Sequence, residues 1–242
     1  MALRVILLDV EGTTTPISFV YNKLFPYARD RLLTWLRQHH LDTEVRDALV
    51  HLEKENTTDV RDGAPPFSLD GNPQSCSDSA AAYCLWLMDR DRKTAPLKTI
   101  QGLIWQEGFK QGELQSEVFA DVPTSFSEWR RKGCRVAIYS SGSVTAQQLI
   151  FQHTPYGNLL PLIDAFFDTR VGPKQDVKSY GKILNALGAE ACQVLFISDV
   201  PAELDAASLA GFSVALAVRP GNPPQPNPLN YRVVHSFARL EL

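Results

Sequence analysis

The sequence predicts an α/β protein in which a doubly wound parallel sheet is interrupted by an inserted helical domain. Short apolar runs typical of buried strands occur at 5–8, 136–139, 194–197 and 213–218. Helical segments alternate with the last three runs, and such alternation is typical of parallel sheets. The first run stands alone, and no strand-like run lies between residues 14 and 133, so we interpret the intervening stretch as an insertion.

The inserted stretch is predicted to be helical except for one long loop. Apolar residues recur at helical spacing from Phe19 to Leu36, and Asp42 is suited to cap a helix over 43–55. Gly and Pro dipeptides predict a loop over 57–78. Further helices are predicted at 78–90, 95–112, 143–153, 178–187 and 201–210, and the Pro- and Asn-rich residues 220–228 predict a surface loop.

Composition and charge exclude several classes of protein. The 242 residues are 44% hydrophobic and 21% charged, as in an ordinary globular protein. The formal net charge is −3 without a basic block, so no nucleic-acid partner is expected. No apolar run is long enough for a membrane span or a signal peptide, so we expect a cytoplasmic protein without a membrane partner. The four scattered cysteines form no C-x-x-C pair and are expected to be reduced, buried thiols.

Two acids follow the first predicted strand. The apolar run at 5–8 ends in Asp9, and Glu11 and Gly12 come next. A carboxylate at the carboxyl end of a buried parallel strand faces the crevice in which open α/β sheets bind ligands. Of two acids on either side of a turn, one can attack a substrate while the other handles a proton. A surface turn with two solvated acids is the alternative for so short a motif.

Hydroxyl groups and a lysine follow later in the chain and suit a phosphate group. Ser140 and Ser141 come directly after the strand at 136–139, where a helix begins, and helix N-termini bind anions. Lys174 lies in a Gly-Pro loop before another helix, and its ammonium group can stabilise phosphoryl charge. The alternatives are helix capping by Ser141 or Ser143 and a solvated lysine.

A further acid follows the strand at 194–197. With Asp9, Asp199 would supply the two carboxylates that Mg²⁺ takes together with phosphate and water. Glu203 is interpreted as a residue that orients water or Lys174. Capping of the helix near Pro201 is the alternative for Asp199. Because these groups occur in chain order after strands of one predicted sheet, we favour a shared site over a chance coincidence.

These motifs resemble those of the haloacid dehalogenase-like hydrolase superfamily. Its members carry an Asp-x-Asp-x-Thr motif, a Ser or Thr, a Lys and a terminal acidic motif on a Rossmann-like sheet. Here Glu11 replaces the second Asp, and the run D-V-E-G-T-T-T-P-I is similar to the signature of the enolase-phosphatases, or acireductone synthases. Other similar stretches extend nearly from end to end and are weakest at 43–78; they include 91–94, 119–122, 139–144, 167–169 and 218–222.

The resemblance implies a Rossmann-like core over residues 1–15 and 120–242 and a helical cap over 16–119. It implies a Mg²⁺-dependent enzyme of methionine salvage with one Mg²⁺ per subunit. The small-molecule substrate would be 2,3-diketo-5-methylthiopentyl-1-phosphate, which is enolised and then dephosphorylated to the aci-reductone. The implied catalytic residues are Asp9 and Glu11. The implied Mg²⁺ ligands are Asp9, Asp199 and Glu11, the last through its backbone carbonyl. The implied phosphate-binding residues are Ser140, Ser141 and Lys174.

The insertion is expected to act as a cap that excludes water and contacts the methylthio tail. Phe19, Trp86 and Trp105 are candidates for that contact, with core packing the stronger interpretation of each. Lys93 and Lys98 are candidates for contact with the diketone, and a solvated helix face is the alternative. No long exposed apolar stripe demands a dimer, so we expect a monomer.

Four rival functions are weaker. A capped sugar phosphatase would carry Asp in place of Glu11. A phosphonate hydrolase needs a Schiff-base lysine, for which Lys93 and Lys98 stay open. A dehalogenase has no use for a proton-handling acid at position 11, and a non-catalytic binding protein does not need the full catalytic set.

Overall fold

The computed structural model describes residues 3–224 and 230–240, so part of the predicted 220–228 loop lies outside the described residues. The chain divides into two compact units. One comprises Met1–Asn22 with Gln115–Leu242, and the other comprises Lys23–Leu114. The predicted insertion, residues 16–119, begins shortly before the second unit and ends shortly after it.

The first unit is built on a parallel sheet. Its strands are β1 (Val5–Leu8), β2 (Arg135–Tyr139), β3 (Ala165–Phe167), β4 (Val194–Ser198), β5 (Ser213–Ala217) and β6 (Arg232–Val234). Their order across the sheet is β3-β2-β1-β4-β5-β6, and all neighbouring pairs are parallel. This is the order of doubly wound α/β sheets, so the predicted fold class is confirmed.

The strand β1 lies between β2 and β4 and forms the centre of the core. Val5 pairs with Arg135 on one side and with Val194 on the other. All four residues of β1 are fully buried, as expected of parallel strands covered on both faces. Burial of each such side chain contributes about 1.5–3 kcal/mol to the free energy of unfolding. The acid that follows β1 is therefore held on a rigid part of the molecule.

The helices account for most of the remaining chain. In the first unit they are α1 (Ile17–Phe19), α6 (Val122–Arg131), α7 (Val144–Gln152), α8 (Val177–Leu187) and α9 (Pro201–Leu209). The second unit is helical, with α2 (Phe25–His39), α3 (Thr43–Asp59), α4 (Pro73–Asp89) and α5 (Ala95–Lys110). A π-helical turn, Val20–Leu24, follows α1 directly. The predicted absence of a strand between residues 14 and 133 is confirmed.

The second unit has a buried polar network of its own. Asp59, at the end of α3, accepts hydrogen bonds from the Tyr83 hydroxyl at 2.5 Å and from Arg92 Nη1 at 2.6 Å. Burial alone would raise the pKa of Asp59, but the hydrogen bonds from Arg92 and Tyr83 outweigh it and lower that pKa. The network therefore ties Arg92, in the segment between α4 and α5, to α3.

The loop predicted over 57–78 is wrong at both ends, because a helix extends into that range from each side. The helix α3 continues to Asp59 because the buried Asn56 side chain is satisfied by the following loop. Its Nδ2 donates to Pro65 O at 2.9 Å and its Oδ1 accepts from Phe67 N at 2.8 Å. At the other end Asn72 caps α4 by accepting from Ser75 N, and Pro73 occupies the first turn of the helix.

Three elements, β3, β6 and α6, were not predicted from the sequence. Both strands are three residues long, too short for a period-2 pattern to emerge. Among the described residues, no helix combines the length and the apolar character that a membrane span requires. The four cysteines, all of them described, are free thiols; Cys84 and Cys134 are buried as predicted, whereas Cys76 is half-buried and Cys192 is exposed.

Candidate active site

The six predicted site residues line one pocket of the first unit. The pocket has a volume of about 440 Å³ and lies at the carboxyl ends of the central strands. Its lining comprises Asp9, Glu11, Ser140, Ser141, Lys174 and Asp199, together with Ile17, Tyr21, Val200, Glu203 and Pro223. A volume of this size is typical of small-molecule sites. Chain segments that are far apart in sequence therefore converge as the sequence analysis expects.

Asp9 owes its position to the strand that precedes it. Its backbone N–H donates to Ile197 O at 3.0 Å, which extends the ladder between β1 and β4 by one residue. Thr14 Oγ1 donates to Asp9 O at 3.2 Å from the turn that follows. The Asp9 side chain is 7% exposed, so its carboxylate is buried at the inner part of the pocket.

Lys174 is the central cation of the site. Its Nζ lies 2.6 Å from Asp9 Oδ1 and 2.6 Å from Glu203 Oε2, and its side chain is 7% exposed. Burial alone would lower the pKa of Lys174, but the carboxylates of Asp9 and Glu203 outweigh it and hold that pKa above its ordinary value. Lys174 is therefore charged throughout the physiological range, which suits a phosphate partner.

The loop that carries Lys174 is held by two buried tyrosines. The Tyr180 hydroxyl donates to Lys174 O at 2.6 Å, and the Tyr139 hydroxyl donates to Gly172 O at 2.9 Å. Gly172 has φ +142°, a region that favours glycine, and a Cβ there would meet Ser179 Oγ. The loop that carries Lys174 is thus fixed by packing, although no strand ends directly at this residue.

Two acids near Lys174 have raised pKa values. Burial, reinforced by the nearby Asp9 carboxylate, raises the pKa of Asp199 to about 7, and Lys174 opposes this rise. The pKa of Glu203 is also raised, first by burial and then by Asp9. Glu203 Oε2 accepts from Ser198 Oγ at 2.8 Å as well as contacting Lys174. This ion pair agrees with the interpretation that Glu203 orients water or Lys174, a role that stays a prediction.

The serines lie in the short loop between β2 and α7. Ser140 follows β2 directly, and its Oγ accepts from Gly142 N at 3.2 Å. The helix α7 is capped by Ser143, whose Oγ accepts from Ala146 N, so Ser143 rather than Ser141 has the capping role weighed in the sequence analysis. Asp199 is not a helix cap either, since Val200 holds the capping position of α9 without a side-chain hydrogen bond.

Gly12 allows the turn after β1 to approach Asp199. Its φ is +69°, and a Cβ on Gly12 would lie 2.3 Å from Asp199 Oδ2. Only glycine combines this backbone conformation with so close an approach.

We expect Gly12→Ala to lower the rate of phosphate release and the free energy of unfolding. The left-handed backbone alone costs an alanine roughly 1–2 kcal/mol, and the total loss should be larger because Asp199 must also move. Enzyme assays and urea unfolding would measure both effects. Gly133→Ala is the matched control, since Gly133 has φ +82° and open space around its Cβ position. Equal activity of the two variants would contradict a role for the close approach.

An ionic cluster outside the pocket holds the outer side of the same turn. Arg219 Nε donates to Thr13 O at 2.9 Å, while its Nη1 and Nη2 bind the two oxygens of Asp121 at 2.7 and 2.9 Å. The Arg219 side chain is 2% exposed and lies between the rings of Phe119 and Phe237. Phe119, Asp121 and Arg219 lie in stretches that resemble the family, but no role for them follows from the sequence pattern.

The side chain of Asn222 holds the same turn from the β5 side. Its Nδ2 donates to Gly12 O at 2.9 Å. Arg219 donates to Thr13 O, and Phe119 N donates to Thr14 O at 3.0 Å. Three successive carbonyls of the turn therefore accept hydrogen bonds from the scaffold. The segment that carries Glu11 is therefore fixed on the scaffold.

The three aromatic residues considered for an apolar tail are absent from the pocket lining. Phe19 is 1% exposed, and Trp105 is buried with its Nε1 donating to Leu24 O at 2.8 Å. Trp86 stacks on Tyr83 and lies beneath Arg90. These contacts agree with the core-packing alternative. Lys93 lies 3.5 Å from Asp91 in the second unit.

Within the described ranges, no group of three or more His, Cys, Asp or Glu side chains is arranged to hold a metal ion. Asp9 and Asp199 nevertheless supply two carboxylates to one pocket, and Mg²⁺ usually takes one or two, with phosphate and water completing its shell. Burial and the Asp9 carboxylate raise the pKa of Asp199 while Lys174 opposes the rise, so a further cation in the pocket would favour the ionised pair. The donor set therefore fits a hard divalent cation.

Comparisons with known proteins agree with this geometry. The sequence profile of the haloacid dehalogenase-like hydrolases matches residues 3–211. Enolase-phosphatase E1 of Synechococcus elongatus is 43% identical over 240 residues, which cover 99% of this chain and 98% of that protein. Enolase-phosphatase E1 of Drosophila virilis is 43% identical over 242 residues, covering 99% and 96%.

Solved structures agree as well. The UTR4 protein of Saccharomyces cerevisiae has a TM-score of 0.79 at 35% identity, covering 98% of this chain and 100% of that one. CbbY of Rhodobacter sphaeroides, solved in complex with phosphate, shares the fold with a TM-score of 0.58 at 16% identity. The chain therefore belongs to the haloacid dehalogenase-like hydrolases and, within them, to the enolase-phosphatase E1 family.

Proposed function

We propose that this chain converts 2,3-diketo-5-methylthiopentyl-1-phosphate to the aci-reductone 1,2-dihydroxy-3-keto-5-methylthiopentene and phosphate, in methionine salvage. The relatives named enolase-phosphatase E1 support the activity. The observation that carries it in this chain is the charged Lys174 held between Asp9 and Glu203 in a pocket that also contains two serines. That arrangement places a nucleophile, a cation and hydroxyl groups around one small cavity.

Dephosphorylation follows from this arrangement in two displacements. An Asp9 carboxylate oxygen attacks phosphorus, so that a bond from Asp9 to phosphorus forms while the bond from phosphorus to the substrate oxygen breaks. Glu11 gives its proton to the departing oxygen and then takes one from the water that cleaves the aspartyl-phosphate. Release of phosphate restores the Asp9 carboxylate and the protonated Glu11.

The remaining polar groups of the pocket hold the phosphoryl group. Lys174 Nζ lies 2.6 Å from the attacking carboxylate and stabilises negative charge on the phosphoryl oxygens. Ser140 and Ser141, in the loop before α7, bind the same oxygens together with the positive end of that helix. Glu203 keeps Lys174 in place by accepting a hydrogen bond from its Nζ.

We propose that one Mg²⁺ per subunit binds at Asp9, Asp199 and the backbone carbonyl of Glu11. When bound, the ion neutralises charge on the phosphate and on the two carboxylates. The close approach of Gly12 to Asp199 brings the backbone and the second carboxylate to the same place.

Glu11 is proposed to take part in enolisation as well. That step removes a proton from the carbon beside the ketone and places a proton on the ketone oxygen. Glutamate is one methylene longer than aspartate, so its carboxyl group reaches further toward the substrate carbons.

We expect Glu11→Asp to lower the rate of enolisation about 100-fold, within the range of positioned acid–base groups. The appearance of the enol chromophore measures this rate. Glu128→Asp, at an exposed position of α6, is the control and should leave it unchanged. Full enolisation activity in Glu11→Asp would contradict the proposed role.

A paired assay on the diketo phosphate ester tests the function itself. One channel follows the enol chromophore and the other follows released phosphate, each with and without Mg²⁺. The proposal expects both signals, both dependent on Mg²⁺. Phosphate release from many simple esters without preference for the diketone would identify a general phosphatase instead.

We further propose that residues 1–15 and 120–242 form the catalytic core with 16–119 as the inserted cap domain. We also propose that the protein acts as a cytoplasmic monomer on a small phosphate ester. Sedimentation velocity at micromolar concentration would contradict the monomer if the main species were a dimer.

A further inference from the structure

The pocket has an apolar side that the chemistry of phosphate transfer does not use. Ile17, Tyr21, Val200 and Pro223 line it beside the acids, the serines and Lys174. A site that bound phosphate alone would need only the charged and hydroxyl groups. An amphipathic lining of this kind matches a ligand with an anionic end and an apolar end.

Two of these residues come from one short segment. Ile17 begins α1, and Tyr21 lies four residues later in the π-helical turn Val20–Leu24. The intervening Phe19 and Val20 are 1% and 4% exposed and form part of the core. Tyr21 is 47% exposed although it is a large aromatic residue. The segment thus buries one set of apolar side chains and turns another toward the pocket.

We propose that Tyr21, supported by Ile17, binds the apolar thioether end of the substrate and sets the preference for it. This inference rests on the proposed function and adds the part of the site that recognises the carbon chain. An aromatic ring covers a methylthio group through apolar contact and through attraction between sulfur and the ring. The polar groups around Lys174 offer no comparable surface, so the apolar end is directed to the apolar lining residues, among which Tyr21 has the largest side chain.

Substrate pairs that differ only in the tail test this assignment. The two substrates are the methylthio diketo phosphate and 2,3-diketobutyl-1-phosphate, which keeps the phosphate and both ketones but lacks the thioether. The measured quantity is the ratio of their kcat/KM values. In Tyr21→Ala we expect this ratio to fall about 10- to 100-fold, the range for loss of a small apolar contact, while kcat/KM for the short ester stays within about twofold.

Two further variants separate recognition from general disturbance. Tyr21→Phe keeps the ring and should retain the tail preference. Tyr156→Ala removes another exposed tyrosine of the same unit, 52% exposed and outside the pocket lining, and should change neither substrate. An unchanged ratio in Tyr21→Ala, or an equal fall on both substrates, would overturn the inference.

The same experiment distinguishes failure of this inference from failure of the proposed function. A wild-type protein that turns over neither diketo ester would overturn the function. If the wild-type protein turns over the methylthio ester and Tyr21→Ala keeps the wild-type ratio of kcat/KM values, only the role of Tyr21 is overturned.

Discussion

Replacement of Asp9 by Asn is expected to reduce phosphate release by roughly 10³-fold or more, in line with the loss of a covalent nucleophile in other hydrolases. An amide oxygen does not form a stable acyl-phosphate by displacement, so the first step is blocked. The change preserves the shape of the side chain and leaves Lys174 with Glu203 as a partner. It also removes one of the charges that raise the pKa of Asp199, so we expect the variant to stay folded.

Phosphate release and acid-quenched mass spectrometry would measure this effect. The wild-type protein should show a phosphoryl group on the peptide that contains Asp9, and Asp9→Asn should show none. Asp205→Asn, at an exposed carboxylate that accepts from Tyr231, is the control and should keep full activity. A phosphoryl group on another residue, or activity that survives in Asp9→Asn, would contradict the assignment of the nucleophile.

Replacement of Asp121 by Ala is expected to lower the free energy of unfolding by about 3–5 kcal/mol. The change leaves the guanidinium of Arg219 buried without its carboxylate partner, and removing one member of a buried ion pair has a cost of this size. It also removes the acceptor of the Ser236 hydroxyl and of Phe237 N–H, at 2.7 and 2.6 Å. Because Arg219 also anchors Thr13, phosphate release should fall in the protein that remains folded.

Urea unfolding would measure the loss, with Asp205→Ala as the control. The Asp205 carboxylate is exposed and holds one hydrogen bond from Tyr231, so its removal should cost no more than about 1.5 kcal/mol. Equal losses in the two variants would contradict a special contribution of the buried pair.

The contribution of Asp121 also depends on pH. Burial would raise its pKa, but hydrogen bonds from Arg219, Ser236 and the Phe237 amide outweigh burial and lower it below the ordinary 3.8. The folded protein then releases this proton more readily than the unfolded chain. The stabilisation is therefore fully present above about pH 4 and is lost as the pH falls further. Below about pH 4, the difference in free energy of unfolding between wild type and Asp121→Asn should therefore shrink.

The site residues that sequence could predict share a local signal. Asp9, Ser140 and Asp199 each follow an apolar run, and parallel strands bring their carboxyl ends to one edge of the sheet. Lys174 does not follow a strand directly, and its contact with Asp9 spans 165 residues of sequence. The Gly-Pro sequence before Lys174 predicts a loop. The sequence around that loop does not indicate that two buried tyrosines fix its position.

Residues whose roles depend on whether the side chain is buried or exposed were not predictable. An aromatic residue four positions after an isoleucine is typical of a core stripe, and nothing in the sequence separates Tyr21 from Phe19. The same limit applies to Asn56, a poor helix former that remains helical because Pro65 and Phe67 satisfy its amide. Asp121 and Arg219 are 98 residues apart, and neither lies in a pattern that indicates a buried pair.

The position of β1 has a consequence for how the chain is made. Its two neighbours in the sheet, β2 and β4, are synthesised only after residue 135 and residue 194. At about 5–20 residues per second, the apolar run Val5–Leu8 waits roughly ten seconds or more for its second partner. The helices of Lys23–Leu114 pack on one another and can form during that interval. The strand most deeply buried in the finished protein is therefore the one that depends longest on protection from aggregation at the ribosome.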